Sequence, residues 1–200
     1  MDPDAAEPVW PLTSGSDVRD ALLAAYADPT RGYHDTRHLT EVLARLDTLQ
    51  SHGVAFEDLP VRLAAWFHDG VYDGERDAEE RSALWARDAL RHLADDVVVA
   101  ETERLVRLTE THRPEDDDRN GCALSDADLG ILAAAPERYA EYVTSVRREY
   151  AHLPDDVFAL GRAGVLRDLL ATPRLFHTGY ALDQWEEAAR ANVEQELEGI

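Results

Sequence analysis

Apolar residues recur at every third or fourth position along most of this 200-residue chain. Leu39, Val42, Leu43, Leu46 and Leu49 show this spacing, which places them on one face of an α-helix. The same period predicts helices over residues 16–27, 35–52, 60–70, 77–93, 96–112, 125–134, 136–152, 155–170 and 183–197. A strand-like stretch at residues 96–99 is too short to outweigh its helical context. The pattern therefore predicts an all-α protein.

Residues that favour turns and helix ends separate the predicted helices. Residues 28–32 have the composition of a loop, and Gly53 supplies a stop for the second helix. Ser16 and Ser125 are of the type that caps helix N-termini, and the acidic tract at residues 115–121 is expected to be a solvated loop. Neither a repeat nor a linker divides the chain. The sequence thus predicts a single-domain helical bundle over residues 1–200.

The composition is that of a globular protein, with 44% hydrophobic and 30% charged residues. Cys122 is the single cysteine, which excludes an internal disulfide and a cysteine-rich zinc cluster. The N-terminal residues lack the basic and apolar regions of a signal peptide, and no apolar stretch is long enough to cross a bilayer. From this we expect a cytoplasmic protein without a membrane partner.

The net charge of the chain is −21, from 41 acidic and 20 basic residues. A field of this sign repels a phosphate backbone, which argues against a nucleic-acid partner. A small anionic phosphate substrate remains compatible with the charge, provided that a metal and nearby arginines reverse the local sign. Arg31 and Arg37 are candidates for such phosphate contacts, and surface ion pairs are the alternative reading for both.

Histidine and aspartate interrupt the apolar helical pattern at several points. His34 and His38 are four residues apart, so in a helix they share one face. His68 and Asp69 follow the apolar run of the third predicted helix, where uncompensated polar groups are rare. His112 ends another helix. Neutral imidazole and carboxylate are standard ligands of divalent metals, so this set predicts a metal site.

Some of these residues also have simpler explanations. A histidine pair at this spacing occurs in many surfaces and cores, and Asp126 suits the start of a helix beginning at Ser125. His52, His92 and His152 lie among polar positions and are interpreted as structural or solvated. The role of His177 stays open, because it is next to aromatic residues late in the chain.

Taken together, the motifs resemble those of a known family. His38, His68-Asp69 and Asp128 match the H…HD…D signature of the HD superfamily of metal-dependent phosphohydrolases. The Tyr33-His34-x-x-x-His38 box also resembles that of helical cyclic nucleotide phosphodiesterases, with Asp35 in place of asparagine. Nearly the whole chain resembles a bacterial group of predicted metal-dependent HD superfamily phosphohydrolases, through residues 31–34, 67–72, 79–83, 126–132, 147–150, 176–177 and 189–192. Ala78 departs from the asparagine of that group.

The resemblance implies an HD-type helical domain and a set of site residues. It assigns the primary metal to His38, His68, Asp69 and Asp128, with Asp69 also catalytic and able to bridge to a second ion. The reserve ligand is Asp126, because the Asp-Ala-Asp repeat leaves the alignment open by two positions. His34 takes the place of the general acid, and the candidates for further contacts are His112, Glu79 and Glu80.

The resemblance also implies a reaction. One or two divalent ions (Mn, Fe, Co, Ni or Zn, with Mg as a further candidate) would lower the pKa of water, and the resulting hydroxide would attack phosphorus. His34 would protonate the leaving group of a nucleotide or other small phosphate ester. Two alternatives stay open: an HD-type di-iron oxygenase, and a non-catalytic domain that binds metal or nucleotide for regulation. An acid–base group at His34 favours the hydrolase over the pure binder.

Overall fold

The computed structural model describes residues 8–200, and within that range the chain is helical with no strand. The predicted all-α helical bundle is confirmed. The prediction about a signal peptide concerns residues 1–7, which lie outside the described range. The helices are α1 (Ser16–Tyr26), α2 (Thr36–Ser51), α3 (Asp58–Phe67), α4 (Ala78–Leu90), α5 (Asp96–Leu108), α6 (Arg119–Leu129), a 3-10 turn (Gly130–Ala133), α7 (Pro136–Glu149), α8 (Asp155–Ala171), α9 (Gly179–Gln184) and α10 (Glu186–Gly199).

Helix α3 lies at the centre of the bundle and packs against α2, α4, α5 and α6. It is apolar around most of its circumference, and Trp66 and Phe67 at its end are fully buried. A helix that is hydrophobic on all sides requires neighbours on all sides, which explains this central position. The segment that follows α3 therefore emerges from the middle of the protein.

Helix α6 begins six residues before the predicted start at Ser125. Asp118 caps it by accepting a hydrogen bond from the backbone N–H of Gly121 at 2.9 Å. A side chain at Gly121 would collide with Leu108, since its Cβ would lie 2.6 Å from a leucine methyl. The glycine therefore serves close helix packing, although its sequence context suggests a loop. Ser125 is a buried residue within the helix, so its prediction as an N-cap is wrong.

Other helix boundaries also differ from the sequence prediction. The cap of α1 is Gly15, with φ of 78°, and Ser16 is the first helical residue, so the N-cap prediction for Ser16 is wrong. The predicted helix over residues 183–197 is two helices that meet at Trp185, whose ring packs edge-on against Phe176. None of the described helices combines the length and the apolarity needed to cross a bilayer.

Candidate metal centre

Three helix ends bring two histidines and two carboxylates together. His38 is in the first turn of α2, His68 and Asp69 directly follow α3, and Asp128 is in the last turn of α6. The Nε2 atoms of His38 and His68 are 3.0 Å apart. Asp69 Oδ2 lies 3.2 Å from Nε2 of His38 and 3.0 Å from Nε2 of His68. Asp128 Oδ1 lies 3.2 Å and 3.6 Å from the same two nitrogen atoms.

Local hydrogen bonds hold the backbone at His38 and the imidazole ring of His68. Asp35 caps α2 by accepting hydrogen bonds from the N–H groups of Arg37 at 2.9 Å and His38 at 3.2 Å. The Nδ1 atom of His68 lies 2.8 Å from the carbonyl oxygen of Ala65. A carbonyl only accepts, so this Nδ1 carries a proton, and in the neutral ring Nε2 is the nitrogen that can bind a metal. Such an outer hydrogen bond is the usual way in which a metal-binding histidine is held.

The donor set fits a divalent cation. The ligand atoms of His38, His68 and Asp69 all lie within 4.8 Å of one another, and the two histidines are buried. Burial alone lowers the pKa of His68, but Asp69 and Asp128 outweigh this effect and hold the pKa well above its usual range. The cluster therefore attracts positive charge, which either a proton or a metal can supply. The group could hold a metal ion.

Asp126 and Asp128 are two residues apart, but their side chains contact different parts of the protein. The carboxylate of Asp126 is fully buried and accepts hydrogen bonds from the backbone N–H groups of His177 at 2.8 Å and Thr178 at 2.7 Å. Burial raises the pKa of Asp126 to about 6. The structure thus places Asp128, and not the reserve candidate Asp126, beside the histidines. Both lie at the end of α6, so the expectation that they open a helix is wrong.

Among the candidates for further metal contacts, His112 lies near the cluster and Glu80 lies away from it. His112 adopts a positive φ of 50°, and its Nε2 lies 3.5 Å from Asp128 Oδ2. Burial lowers the pKa of His112, which favours the neutral ring, and the charge of Glu79 acts in the opposite direction. Glu80 is exposed and forms an ion pair with Arg107, so the structure does not bring it to the cluster.

His34 is held by Glu149, a residue to which sequence reasoning assigned no role. His34 Nδ1 lies 2.9 Å from Glu149 Oε2, and Glu149 Oε1 accepts from the backbone N–H groups of Gly32, Tyr33 and His34 at 2.9, 2.8 and 2.9 Å. The carboxylate is only 3% exposed. Burial alone raises its pKa, but the His34 ring and these backbone groups lower it to about 2. Glu149 is therefore an anion at neutral pH.

One face of the His34 ring is covered by Tyr72. The two rings stack with centroids 4.0 Å apart, and the Tyr72 hydroxyl donates to Glu149 Oε2 at 3.2 Å. His34 precedes α2 instead of forming part of it, yet its ring centroid is only 5.6 Å from that of His38. The structure thus places an oriented imidazole, that of His34, next to the candidate metal ligands.

Arg31 and Arg37 differ from the phosphate contacts considered from the sequence. Arg31 is only 6% exposed and donates to the carbonyl oxygens of His34 at 3.0 Å, Asp69 at 2.7 Å and Gly70 at 3.1 Å. It therefore joins the loop before α2 to the ligand-bearing end of α3. Arg37 forms exposed ion pairs with Glu41 and Glu141 at 3.1 and 2.9 Å.

The remaining histidines lie outside the cluster. The side chains of His52, His92 and His152 are exposed, and the ring of His52 stacks on Tyr180. His177 is half-buried beside His112, and burial lowers its pKa.

Comparisons with protein-family models, curated proteins and solved structures gave no match for this chain.

Proposed function

We propose that this protein is a divalent-metal-dependent hydrolase of small phosphate esters. The observation that carries the proposal is the pairing of a buried His/Asp cluster with an oriented imidazole 5.6 Å away, measured between the rings of His34 and His38. A domain that only stores metal does not need an oriented imidazole such as that of His34 beside the cluster. The resemblance to HD-type phosphohydrolases, which rests on the sequence, supports the same reading.

In this proposal His38, His68, Asp69 and Asp128 hold the ion. Two imidazole nitrogens and two carboxylate oxygens suit Mn, Fe, Co, Ni or Zn, and oxygen-rich variants of such sites also take Mg. When bound, the ion supplies Lewis acidity towards phosphoryl oxygen and lowers the pKa of water. Arg31 holds the proton donor His34 in position relative to the ligand Asp69, because it donates to the backbone carbonyl oxygens of both residues.

His34 acts as the proton donor to the leaving oxygen. Glu149 occupies its Nδ1 and fixes the ring, which leaves Nε2 as the atom that transfers the proton. Tyr72 limits rotation of the ring by stacking on it, so that the donor keeps one orientation relative to the ligands.

Activity and metal content measured on the same preparation test this proposal. We expect metal-dependent release of phosphate from a panel of alkyl, aryl and nucleoside phosphates. The His34→Asn variant should keep its metal and lose roughly 10²–10⁴-fold in turnover of alkyl esters, and less for aryl esters, whose leaving oxygen needs little protonation. His52→Asn, which changes an exposed histidine, should behave as wild type.

Three results would contradict the proposal. Absence of turnover on every ester, with full metal content, would favour the non-catalytic binder. Two irons per chain and oxygen consumption without phosphate release would favour an oxygenase. Loss of metal in His34→Asn would make His34 a ligand.

A further inference from the structure

A cavity of about 410 Å³ opens beside His34, between α7 and α8. Pockets for small organic ligands measure roughly 300–1,000 Å³, so the size suits part of a substrate. His34 and Tyr72 form the wall nearest the metal centre. The opposite walls are aromatic and aliphatic, and they include Tyr142, Val146, Tyr150, Val157, Phe158 and Val165.

The charged groups that border the cavity are already paired. Arg162 binds Glu196 through two contacts, at 2.7 and 3.0 Å, and donates to the Tyr142 hydroxyl at 3.0 Å. His34 is paired with Glu149. No other lining residue is cationic, so the cavity offers nothing to neutralise a polyphosphate chain. Its chemistry favours a neutral, apolar occupant.

Helix α8 forms the floor of the cavity at Gly161, where no side chain fills the space. A Cβ atom built at Gly161 meets no other atom within 4 Å, and the residue lacks a positive φ that would otherwise require glycine. The rim consists of exposed apolar side chains, since Tyr150, Val157 and Val165 are 40%, 49% and 52% exposed. A bound ligand would remove this apolar surface from water, which favours binding.

We propose that this cavity binds a planar aromatic group of the substrate, while the phosphate lies at the metal centre and His34 stands between the two. The inference rests on the proposed function and deepens it, by naming aryl phosphate monoesters and nucleoside monophosphates as the substrate class. Aromatic rings stack on tyrosine and phenylalanine walls such as those of Tyr142 and Phe158, and the paired charges disfavour longer phosphate chains.

Binding of 1-naphthol in the presence of a chelator tests the cavity without the metal. Calorimetry should detect binding to wild type, and Gly161→Leu, which fills the floor, should weaken it at least tenfold. Gly164→Leu is the matched control, because Gly164 is on the same helix, has equally open space and does not line the cavity. It should stay within twofold of wild type. Leucine favours the helix at both positions, and circular dichroism checks that both variants are folded.

The same variants separate this inference from the proposed function. With metal, wild type should hydrolyse 1-naphthyl phosphate with a kcat/KM at least tenfold above that for ethyl phosphate, and Gly161→Leu should abolish this preference while binding inorganic phosphate normally. Binding of 1-naphthol without any hydrolysis would keep the cavity assignment and overturn the function. Hydrolysis without preference, or unchanged 1-naphthol binding in Gly161→Leu, would overturn the cavity assignment. The cavity assignment would also be overturned if wild type were a dimer that did not bind 1-naphthol and that Gly161→Leu dissociated.

Discussion

Replacing Glu149 with glutamine changes one buried charge and almost no volume. The Oε1 atom of glutamine can still accept from the backbone N–H groups of Gly32, Tyr33 and His34. The other oxygen becomes an NH2 group facing His34 Nδ1 and the Tyr72 hydroxyl. The imidazole must then present a lone pair at Nδ1 and carry its proton on Nε2. The substitution therefore removes the negative charge beside His34 Nδ1 and reverses the hydrogen bond at that atom.

The size of the effect follows from these contacts. A hydrogen bond to a charged group contributes about 1.5–3 kcal/mol and one between neutral groups about 0.5–1.5 kcal/mol, so each of the three backbone bonds weakens by about 1 kcal/mol. A buried neutral amide costs less to desolvate than a carboxylate, which offsets part of this loss. We expect Glu149→Gln to lower the free energy of unfolding by about 2 kcal/mol at pH 7.

The pH dependence identifies the charge as the cause. The pKa of Glu149 falls from its usual 4.5 to about 2 on folding, so its contribution is complete above pH 4.5 and is lost as the pH falls towards 2. The difference in unfolding free energy between wild type and Glu149→Gln should therefore shrink below pH 4.5. Urea unfolding between pH 3 and 7 measures it. As a control, Glu141→Gln alters an exposed carboxylate of the same helix and should cost less than about 0.5 kcal/mol.

Two outcomes would refute this reasoning. One is a Glu149→Gln protein whose unfolding free energy matches that of wild type at pH 7. The other is a stability difference that stays constant down to pH 3, which would assign the effect to packing. If His34 transfers a proton, turnover should also fall by about tenfold or more in Glu149→Gln, with metal content unchanged.

Two further predictions concern the support of the metal centre. Arg31→Met removes the donor from the buried carbonyl oxygen of Gly70 and from the partly buried carbonyl oxygens of His34 and Asp69. It should therefore lower the unfolding free energy by about 2–4 kcal/mol in urea titrations and weaken metal affinity, and equal metal affinity would contradict the role of Arg31 in supporting the site. Chelation should lower the melting temperature of metal-loaded protein by about 5–10 °C, since an ion at 100 times its Kd adds about 2.7 kcal/mol, and an unchanged melting temperature would exclude a structural contribution.

The sequence predicts the parts of the fold and site that depend on local pattern. Helical periodicity gives the all-α class, and the apolar run before His68 and Asp69 correctly indicates that these side chains occupy a buried helix end. The helical period also places His38 in α2, whereas its assignment as a ligand comes from the family resemblance. These inferences hold because each depends on residues within one or two helical turns.

The remaining features depend on how distant segments pack. Asp126 and Asp128 are about 200° apart around a helix, so only one can face the histidines, and the choice depends on how α6 is rotated in the bundle. Glu149 contacts His34 across 115 residues of sequence, a separation that no spacing rule connects. Arg31 donates hydrogen bonds to backbone carbonyl groups, and because every residue carries one, no sequence motif indicates these partners.

The metal content of Asp128→Asn and Asp126→Asn tests the central claim most directly. Both changes replace a carboxylate by a side chain of equal size, two residues apart on α6, where Asp126 is fully buried and the Asp128 side chain is 13% exposed. After loading with metal and desalting, elemental analysis should find at least one ion per chain in wild type and in Asp126→Asn, and a large loss in Asp128→Asn. A metal-free wild type, or an Asp128→Asn protein that retains its full metal, would contradict the proposed centre.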